Sequence, residues 1–523
     1  MTIDLLNSSR LSLRRRNVRR GHAPGPANSE AGQLIWLAIA IVPLCLLIQA
    51  MISSDRWKAV FAGIGAVAAL LAMLLGSFRL APGLITPLFF IGFQIIPAVF
   101  FVVCMVTFPV PSMEMHPVPA ILDDPVGTFI ALVTPSVGFF VFSMVGRMFR
   151  DERKPTASLR EMVRELPDHF ELLLVVAAGL QFSIWITSDE RFSDSGIAYM
   201  LRIMTRSLGI MPLLVGFCAG KFKKATVVWA FVLLVGVGLA FVTGSRGYAF
   251  SPMIPLLIGV FLGLDSWRKR LRVGLILLPL LGLVFLTAGL IGKLRVETGR
   301  LSVSEVMQGG VGRFVETSRE IAKESSAGAA EDGGIAASAA ARLVNWPNIV
   351  IPVMTPKNVP YRGFDDIGDE FRSFFELGLI TGHTYWSNVF AIEYGFMVNE
   401  STSVEFGIAA DGASRAGTAG AILYGFVAAV CLGLIEWVSR SVFRQRPGVF
   451  VLCVFVLGGA ASTEMVRTGL FASVRSAFVG VCVLAIFFGV LDAILGSSEN
   501  ARADAKPGRR MGSRGLPTRP WHR

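Results

Sequence analysis

The stretch QLIWLAIAIVPLCLLIQAMI, residues 33–52, runs for twenty residues without a charge. At about 1.5 Å per residue a helix of that length spans roughly the 30 Å hydrocarbon core of a bilayer. It exceeds the apolar segment of a secretory signal, and no small-residue cleavage site follows it, so it reads as an uncleaved first membrane helix. Runs of the same kind recur at 57–76, 84–108, 127–147, 169–187, 196–219, 225–243, 248–264, 273–292, 416–438, 448–466 and 469–495. The expected fold is therefore all-α: a polytopic membrane protein of about 12 transmembrane helices. The shortest run, 248–264, carries Pro252 and Pro255.

Composition agrees. Charged residues make up 16% of the 523 positions, against roughly 25% in ordinary soluble domains. That excludes a multi-domain soluble enzyme, a disordered chain and a disulfide scaffold. The six cysteines all fall inside apolar runs, without a metal-binding or redox spacing, and read as small buried hydrophobes. The net charge of +12 is carried by segments between spans. Thirty of the 49 Lys and Arg lie in 1–32, 77–83, 147–168, 220–224, 265–272, 440–446 and 497–523. This bias puts those segments, and both termini, on the cytoplasmic side of a bacterial inner membrane. Basicity here sets orientation, and no nucleic-acid partner is expected.

Five regions follow: a basic cytoplasmic segment, 1–32, able to hold anionic lipid; transmembrane helices 1–9 over 33–292; a large periplasmic loop, 293–415; transmembrane helices 10–12 over 416–495; and a basic, disordered tail, 496–523. The loop holds 11 Lys and Arg against 16 Asp and Glu. Within it, 302–324 has helical spacing, the four prolines of 345–363 predict extended or turning chain, and 374–397 looks like an interfacial helix.

Ionisable residues near the outer membrane face carry the chemical interest, because burying them is costly. Thr243-Gly244-Ser245-Arg246-Gly247 sets an arginine and two hydroxyls between glycines. Such a tip brings backbone and a forked donor to a phosphate or carboxylate, or is a tight hairpin with a snorkelling arginine. Arg202 and Arg206 lie one helical turn apart, either as an anion site or as solvated residues before a later helix start. Arg467 and Arg475 flank the last hairpin, with Glu464 as an alternative structural partner. In the loop, Arg313, Arg319 and Arg372 are further substrate-binding candidates. Asp365-Asp366-x-x-Asp369-Glu370 reads as the acidic start of a helix in preference to a divalent-metal site. No metal and no cofactor is expected. Neither a Walker motif, H-E-x-x-H nor G-x-S-x-G occurs, which leaves ATP-driven transport and soluble-type hydrolysis without support.

The T-G-S-R-G string at 243–247, the large outer loop, S-T-S-V-E-F-G at 401–407 and G-x-x-G at 417–420 leading into a membrane helix together resemble the Wzy-type oligosaccharide repeat-unit polymerases of O-antigen and exopolysaccharide. The resemblance covers roughly 200–495 in organisation. It implies a GT-C-like membrane glycosyltransferase that joins repeat units carried on undecaprenyl diphosphate at the outer face, without nucleotide sugar or ATP. It implies catalytic roles for Arg246, which would hold the lipid diphosphate, and Glu405, the matching acid. The glycan-carrying lipid, membrane lipids and a chain-length regulator protein are the expected partners. Trp346, Tyr361, Tyr385, Trp386 and Tyr394 are expected as aromatic platforms for glycan. An O-antigen ligase, for which His383 supplies a loop histidine, and a lipid-linked oligosaccharide flippase are the alternatives.

Overall fold

The computed structural model describes residues 26–81, 84–108, 118–148, 163–187, 207–243, 247–264, 268–276, 346–355, 359–375, 407–461 and 470–504, with isolated positions between them. The described residues are all-helical. In chain order the helices are α1 (Pro26–Met51), α2 (Asp55–Leu80), α3 (Thr86–Thr107), α4 (Val118–Asp123), α5 (Pro125–Met148), α6 (Phe170–Thr187), α7 (Met211–Phe217), α8 (Lys223–Thr243), α9 (Gly247–Gly263), α10 (Pro347–Met354), α11 (Ile367–Phe375), α12 (Ile408–Val442), α13 (Pro447–Ala461) and α14 (Leu470–Asp504). Seven contain segments long and apolar enough to cross a membrane: α1, α2, α3, α5, α8, α12 and α14. Three shorter apolar segments lie in α6, α9 and α13. The chain is thus a polytopic membrane protein of helical type.

Apolar burial does little to hold helices together in lipid, so close packing at small residues matters more. α1, α2 and α3 pack as consecutive neighbours, and α5 lies against both α2 and α12. At the α5–α12 crossing the backbones touch: a Cβ on Gly138 would sit 2.3 Å from the Phe426 nitrogen. The α7–α9 pair is built likewise, since a Cβ on Gly259 would meet the Leu213 carbonyl at 2.1 Å. Larger side chains fill the remaining space, as where Phe90 stacks on Phe139 with centroids 3.8 Å apart. Buried Trp229 donates its indole N–H to the Leu174 carbonyl at 2.9 Å, so its one polar atom is satisfied.

Polar contacts sort the molecule into two sides. On one, Arg56 at the start of α2 donates to the carbonyls of Val106 and Phe108 at the end of α3, and Lys357 pairs with Asp124 at 2.7 Å. On the other, Lys221 donates to the Arg164 carbonyl, His169 meets Asp492 at 2.7 Å, and Glu436 caps the start of α3. Every one of these contacts joins segments that the charge pattern assigns to the same face. The first is the loop side and the second the basic side.

Several boundaries and environments differ from expectation. The span expected from 416 begins at Ile408, and α14 continues through Asp504 into the expected tail. The first two prolines of 345–363 do not break the chain. Pro347 opens α10 at its first turn, where no amide partner is lost, and Pro352 rides inside this two-turn helix. Cys45, Cys104, Cys218 and Cys453 are buried, whereas Cys431 and Cys482 are only partly so.

Candidate functional site

The site begins with a break in α12. Ala416 (φ −148°, ψ 31°) and Gly417 (φ 61°, ψ −146°) leave helical geometry and divide α12 into a short limb, 408–415, and a long one. Gly417 occupies a region open in practice to glycine alone. The limbs fold back on each other. Gly412 and Gly420 would lie about 12 Å apart along a straight helix, yet a Cβ on Gly412 would meet the Gly420 carbonyl oxygen at 2.4 Å. All eight residues of the short limb are buried.

A break frees carbonyls, and in a dry environment each needs a donor. The segment just before α11 supplies two. The Arg362 amide donates to the Ser414 carbonyl at 2.9 Å and the Gly363 amide to the Arg415 carbonyl at 3.3 Å. Tyr361 lies over the hinge, its hydroxyl 2.7 Å from where a Gly417 Cβ would be. Residues 361–366 therefore form a strap across the broken helix.

The strap delivers charge as well as backbone. Arg362 reaches Asp411 Oδ1 through Nη1 at 3.3 Å and pairs with Asp366 through Nη2. Arg415 donates from Nη1 to Asp366 and, at 3.1 Å, to the Gly363 carbonyl, while its Nε faces Asp411 at 3.5 Å. Each oxygen of Asp366 thus takes one arginine. The Arg415 guanidinium also lies over the Tyr424 ring, 5.7 Å from its centroid. The Leu470 amide at the start of α14 faces the Asp411 carboxylate. Exposure falls from 20% for the Asp366 side chain to 0% for Arg415. Two guanidiniums and two carboxylates thus meet at the loop-side end of the membrane helices, with no net charge among the four.

Of the residues singled out from sequence, Asp366 belongs to this cluster and Arg475 lies on α14, beside which it forms. Arg475 is buried about one and a half turns into α14, the helix whose first amide faces Asp411. Arg372 is 75% exposed on α11, with Asp369 beside it at 3.9 Å, and stands apart from the cluster. Arg319 is exposed. Arg202, Arg206, Ser245, Arg246, Arg313, Glu405 and Arg467 lie outside the described residues. Thr243 ends α8 and Gly247 opens α9, so Ser245 and Arg246 fall between those helices in sequence.

The acidic string does open a helix: α11 starts at Ile367, with Asp365 and Asp366 before it and Asp369 and Glu370 within it. Asp366 turns its carboxylate onto the arginines, while its carbonyl accepts from the Asp369 amide at 3.1 Å at the helix start. No group of three His, Cys, Asp or Glu able to hold a metal ion occurs among the described residues. Two of the expected glycan platforms are corrected. Trp346 is buried edge-on against Phe101, and buried Tyr394 shares a hydrogen bond of 2.6 Å with Thr355. Both are packing residues. Tyr361, 51% exposed, keeps an accessible face.

Arg362, Asp411 and Arg415 are the residues that sequence reasoning passed over. A signal was present: Asp411 and Arg415 are the only charges in IAADGASRAGTAGAI, residues 408–422, and stand four apart, one helical turn. The chain matches no protein-family model, no curated protein and no solved structure.

Proposed function

We propose that this protein polymerises oligosaccharide repeat units carried on undecaprenyl diphosphate, at the outer face of a bacterial inner membrane. In this reading the chain has a GT-C-like arrangement of about 12 spans with both termini cytoplasmic, and the loop side faces outward. The supporting observation is the pair Arg362 and Arg415, the first 9% exposed and the second buried, where membrane helices meet the long loop. Guanidiniums fixed in a low-dielectric site stabilise charge that develops on a departing diphosphate, without water having to reorganise. Arginine suits the task because its planar fork places two donors on phosphate oxygens.

The reaction requires an acceptor hydroxyl oxygen to bond to the anomeric carbon of the donor unit. The bond from that carbon to the diphosphate oxygen breaks, and its electron pair leaves with the phosphate. The hydroxyl proton passes to a carboxylate, a role this reading gives to Glu405. Arg246, between α8 and α9 in sequence, would complete the diphosphate clamp. The donor bond itself supplies the driving force, so the reading requires no nucleotide site. Tyr361 would offer a ring to the glycan.

The test is the lipid-linked glycan profile of a deletion strain, read by mass spectrometry. Single repeat units accumulating on the carrier at the outer face would support the polymerase. Full-length polymer on the carrier would make the protein a ligase. Single units held at the inner face would make it a flippase.

A further inference from the structure

The four charges of the cluster cancel, and this has a consequence for any anion that binds there. A diphosphate cannot gain from Arg362 and Arg415 while Asp366 and Asp411 both occupy them. One carboxylate must leave. The two acids are unequally held. Asp411 sits within the short limb of α12, its side chain 6% exposed, among buried neighbours on both sides along the chain. Asp366 is more exposed, lies in a turn, and belongs to a strap whose continuation, α11, shows Ile367, Asp369 and Phe371 to the surroundings. Its two oxygens take one arginine each, the manner in which two oxygens of a phosphoryl group would be held.

We infer that Asp366 is a place-holder: it occupies the phosphoryl position on Arg362 and Arg415, and an incoming phosphoryl group displaces it and lifts the strap. The inference rests on reading the arginine pair as the anion site proposed above. Departure of Asp366 leaves the cluster with one net positive charge, ready for a doubly negative group. It also pulls on the Arg362 and Gly363 amides, which close the break in α12. Binding is thereby coupled to the hinge at 416–417. The ligand class is a phosphoryl or diphosphoryl group, either on a prenyl lipid or free in water.

The full-length protein in nanodiscs is titrated with farnesyl diphosphate and, separately, with inorganic pyrophosphate. Asp366→Asn is expected to bind about tenfold tighter than wild type, because a site self-occupied nine-tenths of the time loses that fraction of its affinity. Unchanged or weaker binding in a folded Asp366→Asn variant overturns the inference. Hydrogen exchange on the wild-type chain supplies a readout that needs no variant. Saturating ligand is expected to speed exchange at the Arg362 and Gly363 amides, and unchanged exchange there also overturns it. Displacement by farnesyl diphosphate alone supports a lipid headgroup as the source, and displacement by both ligands supports a site for phosphate in general. Wild-type polymer in the deletion strain would sink the polymerase reading while leaving these binding results to stand or fall alone.

Discussion

α12 buries one carboxylate near each end, and the two are treated differently. Glu436, on the basic side, is wholly buried. It accepts from the Ile85 and Thr86 amides at 3.0 Å and from the Thr86 hydroxyl at 2.7 Å, with Arg440 beside it at 3.4 Å. Three of those donors belong to the first residues of α3 and its cap, where the helix dipole also favours negative charge. Such backbone donors do not move without unwinding a helix. Asp411, on the loop side, is faced mainly by arginine side chains, one of them on a strap from a distant part of the chain. Side-chain donors can trade partners. A buried charge held by backbone is a staple, whereas the arginines that face Asp411 are shared with a second, more exposed acid, Asp366.

The sharpest way to break this comparison is Arg415→Ala. It is expected to abolish polymer and to cost about 1–3 kcal/mol of stability, because buried Asp411 loses one of the two arginines that face it. Arg415→Lys separates the two effects. It is expected to keep the protein inserted and folded, with polymer cut about 10²-fold through loss of the forked donor. Near-normal polymer in a folded Arg415→Lys protein would count against the anion site. Next in size is Glu436→Gln, expected to cost about 1–3 kcal/mol in thermal unfolding while inserted protein still makes polymer. A folded Glu436→Gln protein without polymer would place Glu436 in the chemistry and erase the contrast.

Gly412→Ala tests the folded-back limbs. Its methyl group would press on the Gly420 carbonyl, and a loss of about 1–3 kcal/mol is expected in the same unfolding measurement. An unchanged melting temperature would mean that the limbs do not need this approach. The smallest effect is expected at Asp124, outside the spans. Burial there works against ionisation, but the Lys357 ammonium and the Gly127 amide outweigh it and hold the carboxyl below its ordinary value of 3.8. A depressed folded value means that the contribution is complete above the unfolded value. It is lost as pH falls through the lower folded value. Asp124→Asn should therefore lower stability by under about 1 kcal/mol near neutrality, and the gap to wild type should close in acid. A gap that widened on acidification would reverse the sign and exclude the pairing.

Much of the architecture was legible in the chain, and for a local reason. Backbone amides in hydrocarbon must be satisfied within their own segment, so each span is written as one long apolar run. All but the last residue of QLIWLAIAIVPLCLLIQAMI falls within α1, and the KFKK of 221–224 lies at the basic end of α8. The cluster was far less legible. Reading the loop to 415 set Asp411 and Arg415 among solvated residues, when the fold-back at Gly412 and Gly420 buries them. Trp346 and Tyr394 differ from the expected platforms because an aromatic looks alike in sequence whether it meets a sugar or, as here, Phe101 and Thr355.

The amino-acid sequence alone carries the membrane class, the long apolar helices that show it and the concentration of basic residues in particular segments outside those helices. Those properties depend on hydropathy and charge counted along neighbouring residues. Only the tertiary structure decided which charges meet. Asp366 and Arg415 stand 49 residues apart, and their contact follows from a reversal at Ala416 and Gly417 that frees two carbonyls and draws the strap across them. Pairing at that distance depends on where the chain folds back, and a count of neighbouring residues does not contain it.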